Sequence, residues 1–233
     1  MLTDSSIPNR FLAALPADVL ERLRPHLHRI DLPLRHILFE MDEPVGQIVF
    51  PDAGMTSLMI RLEDGAQLEI GVVGREGLVG LSALFGAEVS PHTAMVQLPG
   101  RGLRIDPRIL REEMLRSPAL LERVHRYSQA VNAQVSQTAA CNIHHNLSER
   151  LGRWLLMAHD RADGDVLPLT QEFLSIMLGV RRSGVTVAAN TLQQTGAIAH
   201  DRGRITVLSR ERLEGAACEC YAMAQTHSRR LLG

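Results

Sequence analysis

The apolar positions of the chain follow two periods, and the change between them falls near residue 117. Val19, Leu20, Leu23 and Leu27 recur at helical spacing and predict a short leading helix over residues 17–28. From residue 29 to residue 106 the texture turns to short apolar runs. HILFE, QIVF, TSLMI, LEIGVV and TAMVQL read as strands, with MDEPVG, PDAG, EDG, GREG and LPGRG between them as turns. Asp64 followed by Gly65 is a hairpin signal. Short strands at this spacing predict a sandwich or barrel of jelly-roll type.

Past Ser117 and Pro118 the period is helical for some 25 residues. Leu121, Val124, Ser128, Val131, Val135, Thr138 and Asn142 recur at alternating steps of three and four, and polar residues interrupt the row. A helix buried in its own domain carries a broader apolar stripe, whereas a narrow heptad-like row suits a contact between two helices. The row therefore predicts a homodimer with Val124, Val131, Val135 and Thr138 in its seam. Residues 147–158 form another helix, which ADGD ends.

Then comes LTQEFLSIMLGVRRSGVTVAANTLQQTGAI. Thr170 is placed to cap a helix bearing Phe173, Leu174, Met177 and Leu178 on one face. Gly179 falls where a tight helix-to-helix turn needs positive φ. The second helix repeats at Val185, Ala188, Ala189 and Leu192, which leaves Arg182, Ser183, Thr186 and Asn190 off the apolar face. A hairpin follows (AIAH, DRGR, ITVL) with Arg202 and Arg204 near its tip, and a last helix starts at Arg210. This is the spacing of a winged helix-turn-helix. A helical hairpin with a merely solvated polar face is the plainer reading. Against it stands a basic window: between Phe173 and His200 the charged residues are Arg181 and Arg182 alone.

Composition changes this picture little. With 233 residues, 45% hydrophobic content and a net charge of −1, the chain reads as soluble and globular. Its 25 basic residues are all arginine, to which we attach no function. Three cysteines, an odd number, argue against a disulfide scaffold. No signal-peptide layout opens the sequence, and the longest apolar run is far short of the roughly 20 residues that span a bilayer. A cytoplasmic protein with no membrane partner is expected.

Spacing argues against the candidate metal ligands. Cys141, His144 and His145 lie close together but lack an evident fourth ligand and fit no standard zinc pattern, so capping and packing are the expected roles. Cys218 and Cys220, with His227, would point to different faces of one helix. The His26-x-His28 pair resembles a fragment of the cupin metal motif, yet it precedes most of the strands and lacks the matching glutamate. No metal, no cofactor and no enzymatic activity are expected.

The order and spacing of these parts resemble the cyclic-AMP receptor protein/FNR (Crp/Fnr) family of bacterial transcription regulators. The likeness is carried by FEMDEPVGQIVFPDAGMTSLMIRLEDGAQLEIGVVGREGLVGLSALFG and by the helix-turn-helix stretch quoted above. It implies an α+β chain with an N-terminal jelly-roll-like β-roll over residues 1–116. A dimerisation helix over residues 117–146 and a winged helix-turn-helix domain over residues 147–233 would follow. It also implies double-stranded DNA with a near-palindromic operator as partner, allows RNA polymerase as another, and adds Thr170, Gln171 and Arg181 to the DNA-facing set. Arg182 matches the family's base-reading arginine, of the kind that bonds bidentately to guanine. The usual glutamate after it is Ser183, a second arginine is Val187, and Arg181 stands where a capping serine is common. The familiar half-site is therefore not expected.

The sensor half departs further from the resemblance. The glutamate that holds the ribose and the arginine that holds the cyclic phosphate fall at Leu81 and His92, within an effector pocket of Gly80, Leu81, Ser82, His92 and Thr93. Such charge-assisted bonds contribute about 1.5–3 kcal/mol each. Their loss implies cyclic-nucleotide binding weaker by about a hundred- to ten-thousand-fold, with Leu84, Phe85 and Met95 as candidate fillers. The amino-terminal cysteine cluster of FNR-type members is missing too, as no cysteine precedes Cys141. The effector is an unknown small molecule. The alternative expectation is a sensor or interaction module whose DNA domain is vestigial.

Overall fold

In the structure, a computed structural model, residues 7–201 and 203–233 are described. Helices α1 (Arg10–Ala13) and α2 (Ala17–Leu23) lead into strand β1 (His28–Leu32), so the predicted leading helix ends before its expected boundary. Asn9 fastens this segment: its side chain caps α1 and donates to the carbonyls of Pro51 and Gly77, each at 2.9 Å. Strands β2 (Ile37–Phe39), β3 (Ile48–Arg61), β4 (Gln67–Val73) and β5 (Thr93–Ile105) complete an antiparallel sheet in which β5 pairs with β1, β2 and β3, and β3 with β4.

Two predicted turns are not turns. PDAG lies inside β3 and LPGRG inside β5, so that QIVF and TSLMI are one strand. Register shifts between Pro51 and Thr56 absorb the irregular sequence as bulges, which bend the pair without ending it. The glycines permit this. A Cβ on Gly100 would overlap the Ala53 carbonyl, and one on Gly102 would stand 2.5 Å from the Phe50 carbonyl oxygen.

Helix α4 (Pro107–Arg116) closes the roll, and α5 (Pro118–His144) runs along it. Ser117 caps α5 by accepting from the Leu120 amide at 3.2 Å. Tyr127 of α5 is buried, with its hydroxyl donating to the Leu78 carbonyl at 2.9 Å. A capping box of Asn146 and Glu149 starts α6 (Leu147–His159). After α6 come β6 (Val166–Leu167), α7 (Gln171–Leu178), α8 (Arg182–Gln194), β7 (Ile198–Asp201), β8 (Arg204–Val207), α9 (Arg210–Ala216) and α10 (Cys220–Leu232). Strand β6, absent from the expectation, pairs with β8 to make a three-stranded wing.

The helical half is packed onto the roll. Trp154, Phe173, Leu174 and Met177 share one core with Met55, Met59, Val72 and Leu98. Polar contacts cross the same boundary, two of them to buried carboxylates. Trp154 donates its Nε1 to Glu69 at 2.7 Å, and Arg161 donates its Nε to Glu76 at 3.0 Å. Burial alone would raise the Glu76 carboxyl, but Arg161 holds it below its usual range.

The expected seam on α5 is corrected by this packing. Val124 is fully buried with Phe11, Phe50 and Tyr127, and Thr138 is buried and accepts from Arg153 at 3.3 Å. Neither can face a partner helix. Val131 and Val135 are half-buried. Another face is covered by α10, which runs antiparallel to α5: Gln137 bonds Cys220 at its start and Arg123 bonds the Leu232 carbonyl at its end. The uncovered strip of α5 carries His125, Gln129, Asn132, Ser136, Ala139 and Ile143.

Candidate nucleic-acid interface and sensor pocket

Thr170 caps α7 by accepting from the Phe173 amide at 3.1 Å. Gly179 ends that helix with φ 63° and ψ 41°, the left-handed conformation its position called for. The turn projects α8, whose Val185, Ala188, Ala189 and Leu192 are buried. Arg181, Arg182 and Ser183 are exposed at its start. Among the described residues neither arginine, nor Arg204 on β8, has a side-chain hydrogen bond or ion pair. A charged guanidinium held in water without a protein partner is free to meet an anionic surface. Arg202 lies outside the described residues.

A cleft of about 410 Å³ opens between α7, α8 and the wing, lined by Thr170, Gln171, Arg182, His200 and Arg204 among others. Glu172 and Asp201 also line it, so it is not uniformly basic. Besides Thr170, three more expected DNA-facing residues are engaged within the motif. Thr186 donates its hydroxyl to Gln171 Oε1 at 2.8 Å and thereby ties α8 to α7. Asn190 is exposed but its Oδ1 lies 2.9 Å from His200 Nε2, which links α8 to the wing. Val187, where a second family arginine would stand, is 66% exposed and apolar.

In the roll, Gly80 adopts φ 99° and introduces α3 (Leu81–Leu84). A cavity of about 190 Å³ lies there, lined by Gly80, Leu81, Ser82 and His92, by Leu58, Val73, Leu78 and Val79, and by Phe85. Tyr127, Ser128 and Val131 of the long helix close it. Burial pushes the His92 imidazole below its usual value, so at neutral pH it carries no charge. The Ser82 hydroxyl is buried with no hydrogen-bond partner among the described residues.

Thr93 is not part of this lining. It donates to Glu40 at 2.9 Å and accepts from the Met41 amide at 3.1 Å, pinning the segment after β2. Of the expected fillers, Phe85 lines the cavity, where it stacks on His125 at 6.1 Å. Leu84 belongs to the core under α4, and Met95 packs on the other core beside Leu98 and Met177. Sheet alternation explains Met95, since the side chains of successive residues in β5 leave opposite faces.

The cysteines overturn another expectation. Cys218 and Cys220 do not share one helix, because α9 ends at Ala216 and α10 begins at Cys220. The turn between them lets both thiols point the same way, toward Cys141 and His145. His144 is not in this group, and Cys218 joins it from 77 residues beyond Cys141, with Cys220 beside it.

Two family models match this chain. One is the cyclic nucleotide-binding domain, over residues 29–117, and the other the Crp-like helix-turn-helix domain, over residues 149–216. No curated protein matches it. Solved structures share the fold. FixK2 from Bradyrhizobium japonicum aligns with a TM-score of 0.70 at 14% identity, covering 82% of this chain and 98% of its own. CLP from Xanthomonas campestris, a c-di-GMP responsive global regulator, aligns at 0.66 with 19% identity, covering 83% and 100%. TTHA1359, a CRP/FNR-family transcriptional regulator from Thermus thermophilus, aligns at 0.65 with 20% identity, covering 82% and 98%. With this pair of domains in this order and this fold, the chain belongs to the Crp/Fnr family of transcription regulators. That family is one of regulators and not of enzymes. Among the described residues no helix is long and apolar enough to cross a membrane.

Proposed function

We propose that the chain is a homodimeric, sequence-specific DNA-binding transcription regulator whose effector pocket has lost its affinity for cyclic nucleotides. The observation that carries the DNA reading is the Gly179 turn, which presents the Arg182 side chain, unpaired among the described residues, at the exposed start of α8 beside the wing's Arg204. Arg182 reads a base edge, while Arg204 and Arg202 meet phosphates. Gln171, Thr186 and Asn190 set the position of the helix through their bonds within the motif. Recognition helices of a dimer would enter successive major grooves, about 34 Å apart.

Selection of bound sequences from a random DNA pool tests this reading. In the sequence so found, Arg182→Ala should relax preference at one position of each half-site by about 1–3 kcal/mol. Arg204→Ala should weaken binding to all sequences alike and flatten the salt dependence. Equal loss on every sequence for Arg182→Ala would refute its base-reading role.

The pocket reading rests on Leu81 and a neutral, half-buried His92. Neither supplies the fixed positive fork that a cyclic phosphate needs. The cavity walls are mostly apolar, which favours a less polar ligand. A ligand that binds the native state raises its stability by RT ln(1 + [L]/Kd). Cyclic AMP or cyclic GMP at about 0.1 mM should therefore leave the melting temperature nearly unchanged. A rise of several degrees would mean that another residue holds the phosphate.

A further inference from the structure

We propose that Cys141, His145, Cys218 and Cys220 form a binding site for one tetrahedral, thiophilic divalent metal ion, zinc(II) by preference, which ties the end of α5 to the turn before α10. Their ligand atoms all lie within 4.8 Å of one another. Cys141 Sγ is 3.5 Å from Cys218 Sγ, and Cys220 Sγ is 3.5 Å from His145 Nδ1. Tetrahedral zinc with Zn–S near 2.3 Å and Zn–N near 2.0 Å has ligand-to-ligand edges of about 3.6–3.8 Å. Two of the six pairs are thus at the spacing of a mononuclear centre, and the others, none beyond 4.8 Å, need close by about 1 Å at most. An iron–sulfur cluster would require the thiolates to move apart to admit bridging sulfides.

Three further observations point to a ligand. His145 Nε2 lies 3.1 Å from a Glu219 carboxylate oxygen, which holds the ring proton on that nitrogen and leaves the Nδ1 lone pair facing the thiols. A carboxylate behind a histidine is the usual outer support of a metal ligand. Gln137 donates its Nε2 to Cys220 Sγ at 3.0 Å, as it would to a thiolate. Finally, Arg153 is buried with no carboxylate within ion-pair distance among the described residues. A buried cation needs a counter-charge. Three thiolates and one divalent ion supply a net charge of −1 beside it.

Binding exchanges one hydrated metal ion for up to three thiol protons, with no change of oxidation state. The centre spans the joint at His145 and Asn146, where α5 ends and the helical half begins. An ion there would fix that joint and hold α10 on α5. This inference stands independently of the DNA reading.

The test uses the full chain, reduced, stripped with chelator and kept under argon. One equivalent of cobalt(II) should give intense sulfur-to-metal charge-transfer and tetrahedral visible bands, which one equivalent of zinc(II) abolishes. Zinc should also shield the thiols from a disulfide reagent. In Cys220→Ser and His145→Ala, both checked for folding by circular dichroism, zinc affinity should fall at least about a hundredfold, and in Glu219→Gln by about 10–100-fold. Absence of the cobalt bands in the folded parent chain, or unchanged thiol reactivity with zinc present, would overturn the proposal. So would rapid air formation of a Cys141–Cys218 disulfide that zinc does not slow, which would make the pair a redox couple.

Discussion

Ala139→Glu is expected to convert the proposed dimer to a monomer and to weaken binding to a two-half-site operator by about 10²–10⁴-fold, the advantage that linked binding confers. Ala139 lies on the uncovered strip of α5, with Gln129, Asn132, Ser136 and Ile143. Ile143 is 80% exposed, an unusual state for a large apolar side chain near a helix end. A two-fold contact along this strip would bring both copies of residue 139 together, so the variant places like charges against each other. Its exposure in the single chain means that the monomer should fold as the parent does. Sedimentation at low micromolar concentration measures the first effect and a binding isotherm the second. A variant that stays dimeric would place the interface elsewhere.

The second large effect concerns Glu69, which is buried with the Trp154 indole N–H and the Ser57 hydroxyl on its carboxyl. Desolvation raises its pKa from 4.5 to about 7, against the pull of those bonds and of Arg153. The native chain therefore keeps a proton that the unfolded chain releases. Stability from this group is fully present below about pH 4.5, declines as pH rises, and levels off above about pH 7. At about 1.4 kcal/mol per pH unit, the decline amounts to at most about 3 kcal/mol. Glu69→Gln keeps an acceptor for Trp154 and removes the charge. It should thus be more stable than the parent at pH 8, by about 2–3 kcal/mol, and should flatten this part of the profile. Urea denaturation of both proteins across the range checks it. An unchanged slope would show that Glu69 titrates alike in the folded and the unfolded chain.

The features legible in the sequence are those that short-range rules determine. The Thr170 cap, the left-handed Gly179 and the apolar face of α8 each depend on residues within a few positions, and each lies where its spacing required. Strand continuity was less legible. Pro51, Gly54, Gly100 and Gly102 are turn signals in isolation, but two strands closing on each other used them as bulges. Only the packed chain could select that outcome, because the ladder partner is some 50 residues away.

Periodicity on α5 likewise established a helix without saying what each side would meet. The row through Val124 and Thr138 went to the roll and to Arg153, while α10 took a second face, and the outward strip was what remained. The cysteines mark the same limit. Spacing along the chain can identify ligands within one loop or helix. It says nothing of Cys141 and Cys218, which share no local element and meet because α10 folds back antiparallel on α5. Local chemistry wrote the elements and the reading helix into the sequence. Long-range packing alone decided which faces were left for partners, since burial depends on what arrives from elsewhere in the chain.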